Sequence, residues 1–344
     1  MTQTIKLAII VPCYNYGDYV GEAIASVASQ LRDDCELIVI DDGSTDGSWS
    51  VISDAGVRAV RISNGGAIGA CVAGLDLTTA PHVLFLDADD KLKPGALDAI
   101  LSRLDPEVAK LQFALTRIDA RGEWISGAVP ALDDYREREA LAVRVAKTGV
   151  YRSPPTSGNV FRRDVADLIR EIDYERYVDG VLLYAAPFTG DVVSVSEELG
   201  CYRVHGRNVA NTVHKSDAVG IRNNVERFIK RMEHLKVVAR RLGWEGDLFD
   251  PHDVFVTRER KFYLEVVSGR RPSLSCLVPL LVRLTDERLE AKNKLGLAAL
   301  FVLAAVLPNG RATVLINYRL KITGRSATGF LREVATSNPR ARAP

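Results

Sequence analysis

Val83-Leu84-Phe85-Leu86-Asp87-Ala88-Asp89-Asp90 decides the fold, because an apolar run passes straight into a group of carboxylates. Such a run reads as a buried strand that delivers negative charge at its carboxyl end, the edge where open α/β sheets bind ligands. Gathered acids repel unless a cation joins them. Oxygen donors with no nearby Cys or His favour a hard divalent ion, Mg²⁺ or Mn²⁺, completed by water and substrate phosphates. Taken alone, the same acids would equally suit a solvated strand-to-loop turn.

The residues before this stretch repeat its pattern. Ile5 to Val11 is nearly continuous apolar sequence, stopped by Pro12, and Cys13 to Asp18 forms a turn with Asp18 as N-cap of a helix carrying Val20, Ala23, Ile24, Val27 and Ala28 on one face. Leu37 to Ile40 is a second strand, Asp41 to Asp46 a polar turn, and Gly47 to Ala55 a short helix. Val57 to Ile62 is a third strand, and Asn64-Gly65-Gly66 opens a helix reaching about Leu77. After the acidic strand, Pro94 takes the first position of a helix over Gly95 to Leu104. This alternation predicts an α/β fold with a mostly parallel, Rossmann-like sheet whose strand tips share one edge.

Two common ligands of such an edge are excluded by residue type. A dinucleotide site wants glycines in the first strand-to-helix turn, and Pro12-Cys13-Tyr14-Asn15 has none. A P-loop wants Lys then Ser or Thr after its glycines, and Gly65 to Ala70 lacks both. What fits is a single nucleotide whose base meets Tyr14 and Asp42 and whose diphosphate is reached through a metal on Asp89.

In order, Val11-Pro12-Cys13-Tyr14-Asn15, Ile40-Asp41-Asp42-Gly43-Ser44-Thr45-Asp46, Asn64-Gly65-Gly66 and Leu86-Asp87-Ala88-Asp89-Asp90 resemble the motifs of the family 2 glycosyltransferases with the GT-A fold. The resemblance implies an inverting enzyme that moves a sugar from a nucleotide-diphosphate sugar, a UDP-sugar first, to the hydroxyl of a carbohydrate or lipid-linked acceptor in cell-surface polysaccharide or glycoconjugate synthesis. It implies that Pro12, Tyr14 and Asp42 line the nucleobase pocket, with Asp41, Gly65, Gly66 and Ala88 in the same nucleotide-binding motifs. Asp87 would lie near ribose and diphosphate, and Asp89 would hold the metal. Thr156-Ser157-Gly158-Asn159 is similar to the loop that borders the acceptor. Asp179 stands where the family has its catalytic base, although it would also suit a helix N-cap. Tyr202-Arg203-Val204-His205 is similar to the segment that closes the site. There His205 would complete the metal shell or meet the diphosphate, with Arg203 and Arg207 neutralising charge, unless the segment is simply an exposed basic loop. The family often has Ala-Arg-Asn after the glycines, where this chain has Ala70-Cys71-Val72. The alternatives are a sugar-phosphate nucleotidyltransferase, whose Gly-rich basic loop after strand one is absent, and a noncatalytic nucleotide- or membrane-binding scaffold.

Beyond Asp105-Pro106 the alternation loosens. Val108 to Asp119 reads as a strand with a hairpin turn to Glu123-Trp124-Ile125, followed by a helix from about Asp133 to Lys147 and by Asp164 capping Val165 to Ile169. The expected organisation is a nucleotide-sugar half over 1–105, an acceptor half over 106–212, a helical region over 213–325 and a polar tail over 326–344. Five scattered cysteines without CxxC spacing suggest neither disulfides nor zinc. No signal sequence is expected at Met1, which points to the cytoplasm.

Residues 1–212 hold 21 Lys+Arg against 31 Asp+Glu, and 213–344 hold 24 against 13. The basic half lacks the interleaved aromatics of a nucleic-acid surface, so nucleic acid is not expected as a partner. Asp217 to Leu242 is an amphipathic helix, and Leu274 to Leu284 continues in helical style. Leu295 to Leu307 is the most apolar run. At about 1.5 Å per residue it falls short of the roughly 30 Å hydrocarbon layer. It is therefore a buried core helix, a packing face in a homo-oligomer, or a helix lying on the inner membrane surface as a peripheral contact.

Overall fold

The computed structural model describes residues 4–174, 178, 180–206 and 218–320. It divides into two compact units, one comprising Met1–Ala146, Val150–His205 and His234–Gly246, the other Lys147–Gly149, Gly206–Glu233 and Asp247–Pro344.

The first unit is built on one sheet. Its strands are β1 (Leu7–Cys13), β2 (Cys35–Asp41), β3 (Arg58–Arg61), β4 (His82–Phe85), β5 (Lys91–Leu92), β6 (Val108–Asp119), β7 (Trp124–Ser126), β8 (Tyr135–Glu137), β9 (Asn159–Arg162) and β10 (Asp191–Val204). The spatial order is β3-β2-β1-β4-β9-β6-β10-β5, with β7 on β6 and β8 on β10. β1 to β4 are parallel, as the apolar runs of β1, β2 and β4 predict; β9 enters antiparallel between β4 and β6. Helices α1 (Val20–Ala28), α2 (Ser48–Asp54), α3 (Gly66–Asp76) and α4 (Ala96–Leu101) follow the first strands. One core cluster joins β1, β2 and β4 to α1 and α4 through Leu7, Ile9, Val11, Val20, Ile24, Leu84 and Ile100. All five cysteines are free thiols.

Several local expectations are corrected. Pro12 does not end β1, which continues to Cys13 opposite Asp41. Leu86 N–H bonds Ile10 O and Asp42 N–H bonds Cys13 O, so even-numbered residues of β1 face β4. The missing amide of Pro12 therefore falls just beyond the last β4 pair, Ile10 with Phe85, and costs no ladder bond. The N-cap of α1 is Tyr19, not Asp18: the Tyr19 and Val20 amides both bond Tyr16 O, and the turn itself starts the helix. α4 begins at Ala96 because Gly95 takes the N-cap with φ 81°, which places Pro94 ahead of the helix. Residues 133–147 are not one helix, since Tyr135–Glu137 pairs with β10 and only Glu139–Thr148 (α5) is helical. α6 (Arg163–Ala166) has no side-chain cap, and Asp164 instead pairs with Arg162 at 2.8 Å. A further short helix, α7 (Leu182–Ala185), precedes β10.

The remaining helices are α8 (Ala218–Arg241), α9 (Phe255–Val267), α10 (Leu274–Asp286), α11 (Ala291–Val306) and α12 (Asn309–Leu320). In the second unit, Phe262, Val266, Leu277, Leu280, Leu284, Phe301, Leu315 and Ile316 form a separate core. Of the alternatives for 295–307, a helix buried on all sides does not hold. On α11 only Phe301 and Ala304 are buried, while Leu295 is 71% exposed and Val306 66%. No helix among the described residues is long and apolar enough to cross a membrane. The tail 326–344 lies outside the described residues.

Helix α3 crosses β1 at Gly74, where a Cβ would come within 2.4 Å of Ile10 Cγ2, an atom fixed close to a buried backbone. In an exposed helix, glycine to alanine gains about 1 kcal/mol. Here overpacking of about 1–3 kcal/mol opposes that gain. Gly74→Ala is expected to lower the thermal midpoint; a raised midpoint would show that the contact is not close.

Candidate active site

Two loops at the strand tips are latched together. Asn15, with φ 58°, donates its N–H to Ser44 Oγ at 3.0 Å, and its Oδ1 accepts from Thr45 N at 2.8 Å and Asp46 N at 3.3 Å. Tyr16 N donates to Ser48 Oγ at 2.9 Å and Gly17 N to Asp46 Oδ2 at 3.2 Å. Asp42 fixes the glycine turn, since its Oδ1 accepts from Gly65 N at 2.7 Å, and Gly66 sits at φ 77°. Burial pushes the Asp42 carboxyl above the usual carboxylate range, against the Gly65 and Gly66 amides. Tyr14 is exposed beside this frame, and Pro12 lies half-buried in β1. Asp41 is fully buried: Arg61 Nε pairs with its Oδ2 at 3.0 Å, and its Oδ1 has no hydrogen-bond partner.

The acidic tip of β4 is more elaborate than its sequence. Asp87, Asp89 and Asp90 each offer a carboxylate oxygen within 4.8 Å of the others. Asp90 is buried; its Oδ2 accepts from Ser157 Oγ at 2.6 Å and its Oδ1 from Arg203 N at 2.9 Å. Burial, then the charge of Asp89, raises its carboxyl well above the ordinary range. Ser157 Oγ also accepts from Asp87 N at 3.1 Å, so one hydroxyl bridges two members of the acidic turn. His205 Nε2 lies 2.8 Å from Asp89 Oδ2, with its ring stacked on Tyr19 at 5.0 Å and edge-on to Tyr16 at 5.9 Å. Carboxylates with one imidazole fit a hard divalent cation of the Mg²⁺ or Mn²⁺ kind. Asp87, Asp89 and Asp90 form the group that could hold it, and His205 adjoins that group through Asp89. Ala88 points its side chain into the core and can offer a ligand only its backbone.

Two assignments are corrected by burial. Arg203 does not present its guanidinium to a diphosphate: the residue is wholly buried, and Nε donates to Asp89 O at 2.8 Å, Nη2 to Glu22 Oε2 at 2.8 Å and Nη1 to Ala120 O at 3.3 Å. Its charge sits 4.9 Å from the Tyr19 ring centre. It supports the acidic turn from beneath. Thr156, Ser157 and Asn159 do not face outward to an acceptor either. All are buried, and Asn159 Nδ2 donates to the carbonyls of Pro155 at 2.8 Å and Pro154 at 3.3 Å. A Cβ on Gly158 would stand 2.8 Å from Phe113 O, so this turn is a packed joint leading into β9. Beneath it the buried Lys110 Nζ donates to Ser153 Oγ at 2.8 Å, and Ser153 Oγ to Asn159 Oδ1 at 3.1 Å. Sequence reading missed Asn15, Glu22, Tyr19 and Lys110. Only Asn15, polar at a strand-to-helix turn, carried a local signal. Asp179 and Arg207 lie outside the described residues.

The motifs that build this edge occur together in known proteins. Residues 8–141 match the model of glycosyl transferase family 2. Over those residues the chain is similar to that family. The chain is 34% identical over 215 residues to an uncharacterized glycosyltransferase of Nostoc sp., covering 59% of the chain and 66% of the relative. It is 26% identical over 214 residues to the teichoic acid poly(glycerol phosphate) polymerase of Staphylococcus epidermidis, covering 56% of the chain and 30% of that protein. The chain thus spans just under two thirds of the first relative and less than a third of the second. Among solved structures, residues 1–349 of S. aureus TarS, crystallised with UDP-GlcNAc, superpose with a TM-score of 0.50 at 15% identity, covering 92% of this chain and 90% of that one. The architecture is the GT-A fold with C-terminal helices.

Ser157→Ala removes the bridge between Asp87 N–H and Asp90 and leaves a buried carboxyl short of a partner. Loss of about 1–3 kcal/mol in chemical denaturation is the expected result. An unchanged unfolding midpoint would show that the bridge contributes nothing.

Proposed function

We propose that this chain is an inverting, metal-dependent family 2 glycosyltransferase that moves a sugar from a nucleotide-diphosphate sugar to an acceptor hydroxyl, in the synthesis of a cell-surface polysaccharide or glycoconjugate. The observation that carries the reading is the acidic turn at the tip of β4, with His205 Nε2 2.8 Å from Asp89 and the Asp42-anchored glycine turn on the same sheet edge. The family 2 match over residues 8–141 and the similarity to a teichoic acid polymerase support the substrate class.

In this reading Tyr14 and Asp42 hold the base, with Pro12 shaping the pocket wall and the Gly65-Gly66 turn approaching the nucleotide through its backbone. Asp87, Asp89 and His205 hold a divalent cation, which when bound supplies positive charge to the leaving diphosphate. Arg203 and Ser157 keep the acidic turn in shape. Asp179 accepts the proton of the attacking acceptor hydroxyl, opposite the diphosphate, so that displacement inverts the anomeric carbon.

Two variants separate binding from chemistry. Asp89→Ala is expected to abolish manganese-dependent binding of a uridine diphosphate sugar in calorimetry, while metal-independent folding persists. Asp179→Asn is expected to keep that binding and to lose transfer by at least about 100-fold, the range of a general base. Normal binding by the first variant, or normal turnover by the second, would remove the residue from its role.

A further inference from the structure

Helix α11 is apolar on both of its sides. Phe301 and Ala304 face the core of the second unit, with Leu297, Ala298, Leu300 and Ala305 packed partly against it. The outward side carries Leu295, Ala299, Val302, Leu303 and Val306, recurring at helical spacing and exposed, with Val302 42% and Leu303 47% accessible. No charge interrupts this face from Leu295 to Val306, about 18 Å of helix. Exposed apolar surface that continuous marks an interaction site.

Cations bracket it. Lys292 and Lys294 stand in the first turn. At the other end the Asn309 side chain bonds Gly269 O, which brings the exposed Arg270 and Arg271 beside the end of the helix, and Arg311 follows one turn later. Between Glu290 and Glu333 the sequence has no acidic residue and seven Lys+Arg. We infer that the outward face of α11 is a docking surface for an anionic lipid bilayer, with the helix lying in the headgroup layer and its apolar face toward the acyl chains. A second copy of this chain is the poorer occupant. Glu290 at the N-cap offsets only Lys292, at 2.9 Å, so pairing two such faces sets the remaining cations, Lys294, Arg270, Arg271 and Arg311, against one another. Headgroup phosphates meet both ends at once.

The test is co-sedimentation of the full chain with vesicles. Phosphatidylcholine vesicles containing about one-third phosphatidylglycerol are expected to bind it at least about tenfold better than phosphatidylcholine alone, an advantage lost in high salt. Val302→Glu with Leu303→Glu alters only exposed positions and is expected to remove binding at an unchanged melting temperature. Arg271→Glu with Arg311→Glu is expected to lower binding to anionic vesicles about tenfold or more without affecting the core. Equal binding to both vesicle types, or retention by the glutamate variant, overturns the inference. So does a dimer in sedimentation equilibrium that the glutamate variant dissolves while vesicle binding is absent.

Discussion

Electrostatic repulsion within the acidic turn after β4 is the constraint that the first unit is built around. Two unit charges 4.8 Å apart cost about 3–4 kcal/mol at an effective dielectric constant near 20. Asp87, Asp89 and Asp90 would therefore splay apart if the backbone were free. They are held by groups from distant sequence: the Arg203 amide on Asp90, the Arg203 guanidinium on the carbonyl of Asp89, the Ser157 hydroxyl between Asp87 and Asp90, and the His205 ring on Asp89. The mixed topology follows from this need. Antiparallel β9 carries Ser157 up beside β4, and the long β10 delivers Arg203 and His205 from the far side of β6.

The second frame at the same edge is made of loops. Asn15 in a left-handed conformation, with Ser44, Asp46 and Ser48, ties the turn after β1 to the turn after β2, and Asp42 ties that turn to Gly65. Loops assembled this way are rigid although they lie outside the sheet. Such pre-organisation suits binding a nucleotide with little ordering cost. The fully buried Asp41 paired with Arg61 belongs to the support of this frame, although it adjoins Asp42 in sequence.

Where the sequence was legible, a single physical signal dominated. β1, β2 and β4 are continuous apolar runs because parallel strands are covered on both faces, and β6 matches the reading over Val108–Asp119. Where it was illegible, tertiary context decided. β10 escaped notice because register shifts near Val195 and Glu198 break its alternation. Tyr135–Glu137 reads as helix until β10 offers an edge to pair with. In the site, the carboxylates were legible as a cluster at a strand tip, while His205 entered only through the family resemblance. Thr156 to Asn159 and Arg203 were misread for one reason. Polar residues look like ligand contacts in sequence, yet here they are buried and hydrogen-bonded to backbone and to the acidic turn.

We propose that these supports present Asp87, Asp89 and His205 to a cation. Diffraction at the manganese absorption edge, from crystals grown with manganese and uridine diphosphate, tests it most directly. The account predicts one anomalous peak in contact with the Asp89 carboxylate and His205 Nε2, bridged to the diphosphate. A peak located elsewhere, or nucleotide bound at this edge with no metal at Asp89, would contradict it.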